Sequence, residues 1–252
     1  MGRAATDAPY AGYQRLAVAN ALAIIDTGQP APFAASGQAL AGCMAFELSH
    51  GRQRLFVNCG SPRASGRMIP LPLRATAAHT AATLGEASSC RFISRGTETR
   101  IADGPRKVTV ARAQDAGGVT LTASHDGYHA QTGAIIHRMI GIDADGDSFT
   151  GSDRVDFGDA RTPPGGSAGA LIARFHLHTS VTPDLQPDHL SLRTERGGLW
   201  HFTSSGAHLA LDESIYCAGI EGPRRTWQIV LTATDSSAGM AWRLDRIGPA
   251  QD

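Results

Sequence analysis

Gly133-Ala134-Ile135-Ile136-His137-Arg138-Met139-Ile140-Gly141-Ile142 and Ser148-Phe149-Thr150-Gly151-Ser152-Asp153-Arg154-Val155-Asp156-Phe157 flank the pentapeptide Asp143-Ala144-Asp145-Gly146-Asp147. Apolar residues recur at alternate positions on both sides, and the Asp-Gly step supplies the positive φ that a tight hairpin needs. The three segments together predict two antiparallel strands. The pentapeptide also has the look of a calcium loop, but glycine stands fourth in it and its twelfth position is Arg154, so the spacing predicts a solvated turn.

Outward from this hairpin the same period of two returns, with little helical periodicity anywhere. Cys43 to Leu48 and Arg54 to Val57 predict a hairpin turning at His50-Gly51, and Lys107 to Ala113 with Val119 to Ala123 predict another. Ala170 to His178, Leu190 to Thr194, Leu199 to Thr203, Leu209 to Tyr216, Thr226 to Thr234 and Gly239 to Leu244 complete the series. Two stretches predict long loops, Asp26 to Gln38 and Ser61 to Pro72, the second carrying Arg63 and Arg67. A weak boundary falls near Gly104-Pro105. The predicted fold is all-β, an antiparallel β-sandwich with long loops, in which residues 1–12 form an unstructured start, 13–246 one domain and 247–252 a tail.

Composition narrows the function classes. The 252 residues are 42% hydrophobic and 18% charged, a globular balance. Lys and Arg number 23 and so do Asp and Glu, so no global field draws the chain to nucleic acid or to an acidic membrane surface. Among the basic residues Lys107 is the sole lysine, and arginine's planar fork suits carboxylate or sulfate, but the arginines do not cluster in sequence and GC-rich coding is the preferred explanation. Leu16 to Ile25 is the longest near-apolar run and is too short to span a bilayer. Met1 to Pro9 lacks the basic and apolar regions of a secretory signal, and Met1-Gly2 with Thr6 fits a myristoylation pattern short enough to be chance. Neither a nucleic-acid nor a membrane partner is expected, and the compartment stays open. Cys43, Cys59, Cys90 and Cys217 lack metal-type spacing and predict reduced structural thiols, with a Cys43–Cys59 disulfide as the alternative.

Several motifs invite chemistry. Gly165-Gly166-Ser167-Ala168-Gly169 matches the nucleophile elbow, but Pro163 and Pro164 precede it and a predicted strand follows it, whereas the elbow needs a strand before and a helix after. His176 and His178, two residues apart in a strand, share a face and suit a divalent metal if His125 or His137 converges on them; a polar outer face is the competing reading. His79, in Arg74-Ala75-Thr76-Ala77-Ala78-His79-Thr80, follows a proline-rich loop at the expected start of a strand.

Taken in order, Ala23-Ile24-Ile25-Asp26-Thr27-Gly28, Ala45-Phe46-Glu47-Leu48-Ser49, Leu55-Phe56-Val57-Asn58-Cys59-Gly60 and the His79 segment resemble the β half of heparinase II/III-like polysaccharide lyases. Ser124-His125-Asp126-Gly127-Tyr128, Ile136-His137-Arg138, Arg174-Phe175-His176-Leu177-His178 and Arg224-Arg225-Thr226 continue the likeness, which extends from about Tyr13 to Arg243. The resemblance implies a β-sandwich packed on an α/α toroid, with β-elimination across uronic acids of acidic polysaccharide between them. It implies His79 as the catalytic residue of this half, and Gln38, Asn58 and Arg74 as substrate-binding residues. The toroid, which supplies tyrosine and histidine, is expected to belong to a partner, since no series of amphipathic helices precedes Tyr13. The family's zinc ligands correspond to Gln38, Leu40, Asn58 and His79, so no cofactor is expected. A non-catalytic carbohydrate-binding or structural β module is the rival expectation, and whether the chain is an enzyme is left open.

Overall fold

The computed structural model describes residues 7–8, 11–62, 68–158, 169–219, 221–235 and 238–248. Its strands in chain order are β1 (Asp7–Ala8), β2 (Tyr13–Val18), β3 (Ala21–Asp26), β4 (Phe46–His50), β5 (Gln53–Val57), β6 (Ala82–Leu84), β7 (Arg91–Arg95), β8 (Glu98–Asp103), β9 (Val108–Asp115) and β10 (Gly118–Tyr128). They continue as β11 (Ala134–Asp143), β12 (Ser148–Asp156), β13 (Leu171–Leu177), β14 (Val181–Leu185), β15 (Leu190–Thr194), β16 (Leu199–Ser205), β17 (Ala207–Tyr216), β18 (Arg224–Ala233) and β19 (Met240–Gly248).

Two large antiparallel sheets face each other. The first runs β1-β2-β3-β4-β5-β13-β18-β17, with β6 also paired to β13; the second runs β14-β15-β16-β19-β12-β11-β10-β9. Strands β7 and β8 form a separate hairpin. Inward positions of both sheets share one core, in which Phe46 lies parallel to the Trp242 ring at 5.8 Å and Phe175 meets the same indole edge-on at 5.2 Å. Gly151 is required there: a Cβ on it would lie 2.3 Å from Trp242 Cε2. The predicted antiparallel sandwich is the fold observed.

The hairpin that opened the sequence reading is β11–β12, and the Asp143 carboxylate accepts the amides of Asp147 (3.0 Å) and Ser148 (3.1 Å). Asp143 is thus turned onto the hairpin's own backbone, and Asp147 stands within ion-pair distance of His50 and Arg246. The near-apolar run Leu16 to Ile25 proves to be β2 and β3, folded back at Ala19-Asn20, with Ala19 at φ 46°. The expected strand from Cys43 begins later, at Phe46, because Met44 sits at φ 60° and its amide donates to Asp26 O at 2.7 Å. That kink also removes Cys43 from the ladder. Strand pairing between β4 and β5 joins Leu48 to Phe56, both cysteines lie beyond the strand ends, and all four thiols are free and buried. Burial pushes the Cys59 and Cys90 thiols up to about 11.

Gly104-Pro105 is where the chain passes to the second sheet, but β13, β17 and β18 return to the first, so the point separates no independent core. Strand β1 lies inside the stretch expected to be unstructured, and β19 runs to Gly248, into the expected tail. Among the described residues no helix is long and apolar enough to cross a membrane.

One excursion matters most for the site. After β5 the chain leaves the first sheet, makes a short α-helix at Leu71–Arg74 and a 3-10 turn at Thr76–Ala78, and rejoins at β6. Pro70 and Pro72 open that helix, where a missing N–H costs nothing. Strand β13 therefore pairs with β5 at one end and with β6 at the other, and the excursion lies over the outer face between them. The loop residues Arg63 and Arg67 are outside the described residues, as are residues 165–168 of the elbow-like motif.

Candidate functional site

A cleft of about 520 Å³ opens on the outer face of the first sheet, where β2, β3, β4 and β5 end. Period-two alternation decides which residues floor it. Ala21, Ala23 and Ile25 of β3 point into the core, so Ile24 and Asp26 point outward. Tyr13 stands opposite Asp26 in the ladder, and Glu47 opposite Ile24. The loops 28–43 and 58–60 wall the cleft, and His79 reaches it from the excursion.

His79 is 4% exposed, with Nδ1 donating to Ala75 O at 2.8 Å. That bond fixes the tautomer, because a carbonyl only accepts; in the neutral ring Nε2 is then a bare acceptor. Burial holds the imidazole below the ordinary histidine value, so the neutral ring is the resting form. Asp26 accepts the Gly28 amide at 2.9 Å through Oδ1, and burial pushes its carboxyl up to about 6. A Cβ placed on Gly42 would lie 3.6 Å from Asp26 Oδ2 and 3.6 Å from His79 Nε2. The hydrogen at Gly42 thus leaves open a point that a carboxylate and an imidazole flank together. Burial, then the charges of Asp26 and Glu47, raise the Tyr13 hydroxyl above its usual range.

Asn58 ties the floor to the wall. Its Oδ1 accepts the Thr80 amide at 2.9 Å, and its Nδ2 donates to Glu47 Oε1 at 3.3 Å. A carboxylate at this position would repel Glu47 and waste one acceptor; the amide serves both neighbours. Gln38 Oε1 accepts the Ile69 amide at 2.9 Å, and its Nε2 meets Met68 Sδ at 3.4 Å. Leu40 lines the cleft without a lone pair. With both amide oxygens taken up by backbone N–H groups and an alkyl side chain at the fourth position, these four residues do not make a zinc donor set. Among the described residues no group of three or more His, Cys, Asp or Glu is arranged to hold a metal ion.

Of the residues expected to act together, His79, Asn58 and Gln38 do line one cleft. Arg74 does not. It is 1% exposed, its guanidinium donates to the carbonyls of Ala39, Thr99 and Ser36 at 2.7 to 2.9 Å, and it lies over the Phe92 ring. A side chain that is buried and gives three of its five N–H donors to backbone carbonyls holds the loops in place, away from the cleft lining. The histidine convergence fails as well. His176 Nε2 donates to Ala77 O at 3.0 Å while Nδ1 accepts from Ser214 Oγ at 2.7 Å, His178 lies past the end of β13, and His125 and His137 belong to the other sheet. His137 pairs with Ser124, which places it on the face opposite His125.

Asp26 and Glu47 escaped the sequence reading as site residues. Their signal was present: each is an acid at an outward position next to an inward apolar one. What the alternation could not show is that Tyr13, Asp26, Glu47 and Asn58 come to one end of four neighbouring strands.

The molecule is thus a two-sheet β-sandwich with a polar cleft on one outer face, walled by excursions from the strands. The chain belongs to the heparinase II/III-like, C-terminal family, whose model matches residues 1–245. It is similar to the solved heparinase III BT4657 gene product, at 13% identity and a TM-score of 0.68, over 96% of this chain and 36% of that one. The same product with methylated lysines gives a TM-score of 0.67 over 96% of this chain and 35% of that one. It is also 28% identical over 200 residues to the FtsZ-localized protein C of Caulobacter vibrioides, covering 75% of this chain and 34% of that protein. The chain spans about a third of the length of the relatives it matches.

Proposed function

We propose that this chain is the glycan-facing β wall of a heparinase-like assembly, recognising sugar hydroxyls of a uronic-acid-containing acidic polysaccharide and leaving elimination to a helical α/α toroid partner. The composition of the cleft carries the reading. Asp26, Glu47, Asn58, Tyr13 and His79 line it, and among the described residues no arginine or lysine does. β-Elimination needs a cation or strong donor at the uronate carboxylate, to stabilise the charge that develops when the neighbouring proton leaves. Two carboxylates at that place would oppose such charge. They suit hydroxyl donors instead, and two neighbouring sugar hydroxyls beside Gly42 can donate one to Asp26 Oδ2 and the other to His79 Nε2. His79 touches the sugar and holds or releases a proton only when the partner completes the site; Asn58 and Gln38 orient the ring. The amide substitutions at the zinc positions support a metal-free site.

The test compares the chain alone with the chain beside a co-expressed toroid. Calorimetric titration with uronate oligosaccharide is expected to show binding by the chain, and ultraviolet absorbance of unsaturated uronate is expected to grow only with the toroid present. Robust growth with the purified chain alone would sink the proposal.

A second reading, a protein-docking module, draws on the likeness to a protein named for its localisation with FtsZ, and on Phe33, Leu40, Met68 and Leu71, which are 37 to 49% exposed on the loops beside the cleft. Co-sedimentation with FtsZ filaments, lost in Phe33→Ser/Met68→Ser, would favour it.

A further inference from the structure

Beyond the cleft, the far end of β5 and the chain leaving β13 build a recess of about 300 Å³, lined among others by Arg52, Arg54, His178, Ser180, Glu195 and Arg196. A second recess of about 320 Å³ shares Arg54 and His178 and adds Tyr216, Ala218, Glu221 and Arg224. Among the described residues no carboxylate stands within ion-pair distance of Arg52, Arg54 or Arg196. Arg54 is nonetheless held in place: its Nη1 donates to the Tyr216 hydroxyl at 2.9 Å, and the Tyr216 ring meets His178 edge-on at 5.1 Å. A neutral partner orients the guanidinium without spending its charge. His178 Nδ1 accepts the Ser180 amide at 3.2 Å, so the proton of the neutral ring sits on Nε2 as a further donor. Across both recesses four guanidiniums face two carboxylates, Glu195 and Glu221, and of these Glu221 pairs loosely with Arg224 at 3.7 Å.

The recesses continue from the cleft. Gly60 lines the cleft and Ala218 the second recess, a Cβ on Gly60 would fall 2.7 Å from Ala218 Cβ, and Cys217 N donates to Cys59 O at 2.7 Å. The five residues of β5 then separate the cleft end from Arg52, roughly 17 Å at strand rise.

We infer that Arg224, Arg54, Arg52 and Arg196 form an anion track that takes successive carboxylate or sulfate groups of a glycan whose neighbouring sugar occupies the cleft. The inference rests on the glycan reading and divides its labour: hydroxyls are read in the acidic cleft, charges along the basic track. Guanidinium forks match both oxyanions bidentately. Among the described lining residues no exposed Phe, Tyr or Trp ring offers a base a stacking platform, Tyr216 being 6% exposed, which favours a glycan over single-stranded nucleic acid.

The experiment titrates the full chain with a sulfated uronate hexasaccharide, the matching disaccharide, and an oligothymidylate of equal charge, across a salt series. R52E/R196E reverses two exposed charges at turns, and thermal melting checks that it folds. It is expected to weaken hexasaccharide binding by about tenfold and to lower the slope of log affinity against log salt by roughly two, with the disaccharide unchanged. H79A is expected to weaken both saccharides alike. Unchanged hexasaccharide affinity in R52E/R196E overturns the track while leaving the cleft reading intact if H79A still loses binding. Loss in R52E/R196E with none in H79A keeps the track and removes the cleft reading. Oligothymidylate binding as tight as the hexasaccharide, and equally lost, overturns the glycan assignment, and no saccharide binding by the unaltered chain overturns both.

Discussion

Arg138 on β11 and Asp153 on β12 form a doubly bonded ion pair inside the sandwich, Nε to Oδ1 at 2.7 Å and Nη2 to Oδ2 at 3.0 Å, with both side chains 2% exposed or less. The remaining Nη1 crosses to the first sheet and donates to Met44 O at 3.0 Å and Thr80 O at 2.9 Å. Met44 O belongs to the kink that follows Gly42 and Cys43, and Thr80 O to the residue after His79. One side chain of the second sheet thus holds both strands of backbone that present the cleft.

Breaking this pair from one side should be severe. Arg138→Met leaves a buried carboxylate alone and is expected to cost about 3 to 5 kcal/mol in urea unfolding. The double variant Arg138→Met/Asp153→Leu should recover a large part of that loss. What it does not recover measures the carbonyl contacts, and a double variant as unstable as the single would contradict this account.

Gly42→Ala tests the cleft at a buried glycine that lines it. The added methyl meets His79 Cδ2 at 3.3 Å and fills the point between His79 and Asp26. Saccharide affinity is expected to fall at least about tenfold, and the methyl crowding the buried His79 is expected to cost about 1 to 2 kcal/mol of stability. Calorimetric titration and denaturation read the two effects separately.

Acid should destabilise the protein between pH 6.5 and 4. Burial holds His125 and His176 down to about 4 in the fold, so the unfolded chain binds their protons first and stability is lost as pH falls through this window. Each histidine removes about 2 kcal/mol at pH 5 relative to pH 7. Asp26, raised to about 6, works in the opposite sense, its burial penalty easing as it protonates. Urea midpoints at pH 7 and 5 should therefore drop less in His176→Gln, and more in Asp26→Asn, than in the unaltered chain.

Zinc should not co-purify. The amide oxygens of Gln38 and Asn58 already accept backbone N–H groups, and Leu40 offers no lone pair. Metal analysis of extensively dialysed protein is expected to find far less than one zinc per chain; a stoichiometric content would refute the prediction.

Part of the cleft was legible through the family resemblance, while Tyr13, Asp26 and Glu47 went unread. His79, Asn58 and Gln38 stood out by resemblance and do meet in one place. Arg74 entered through the same resemblance, and only the fold shows Ser36, Ala39 and Thr99 carbonyls closing around it. Arg138 went unread although a signal existed: in the inward series Ile136, Arg138, Ile140 it is the one charged member, and Asp153 interrupts Phe149, Gly151, Val155 in the same way. A charge at an inward position demands a partner, and the paired interruption names it.

The alternation of apolar residues by itself determined that this chain is built of antiparallel strands around one core, because side-chain direction in a strand reverses at every residue and burial then selects one face. The tertiary structure alone decided that an acidic cleft and a basic track lie on the same outer surface, and that Arg138 braces the cleft from the opposite sheet. Those arrangements join residues tens of positions apart, through loop excursions whose paths follow from hydrogen bonds made only after the sheets have closed.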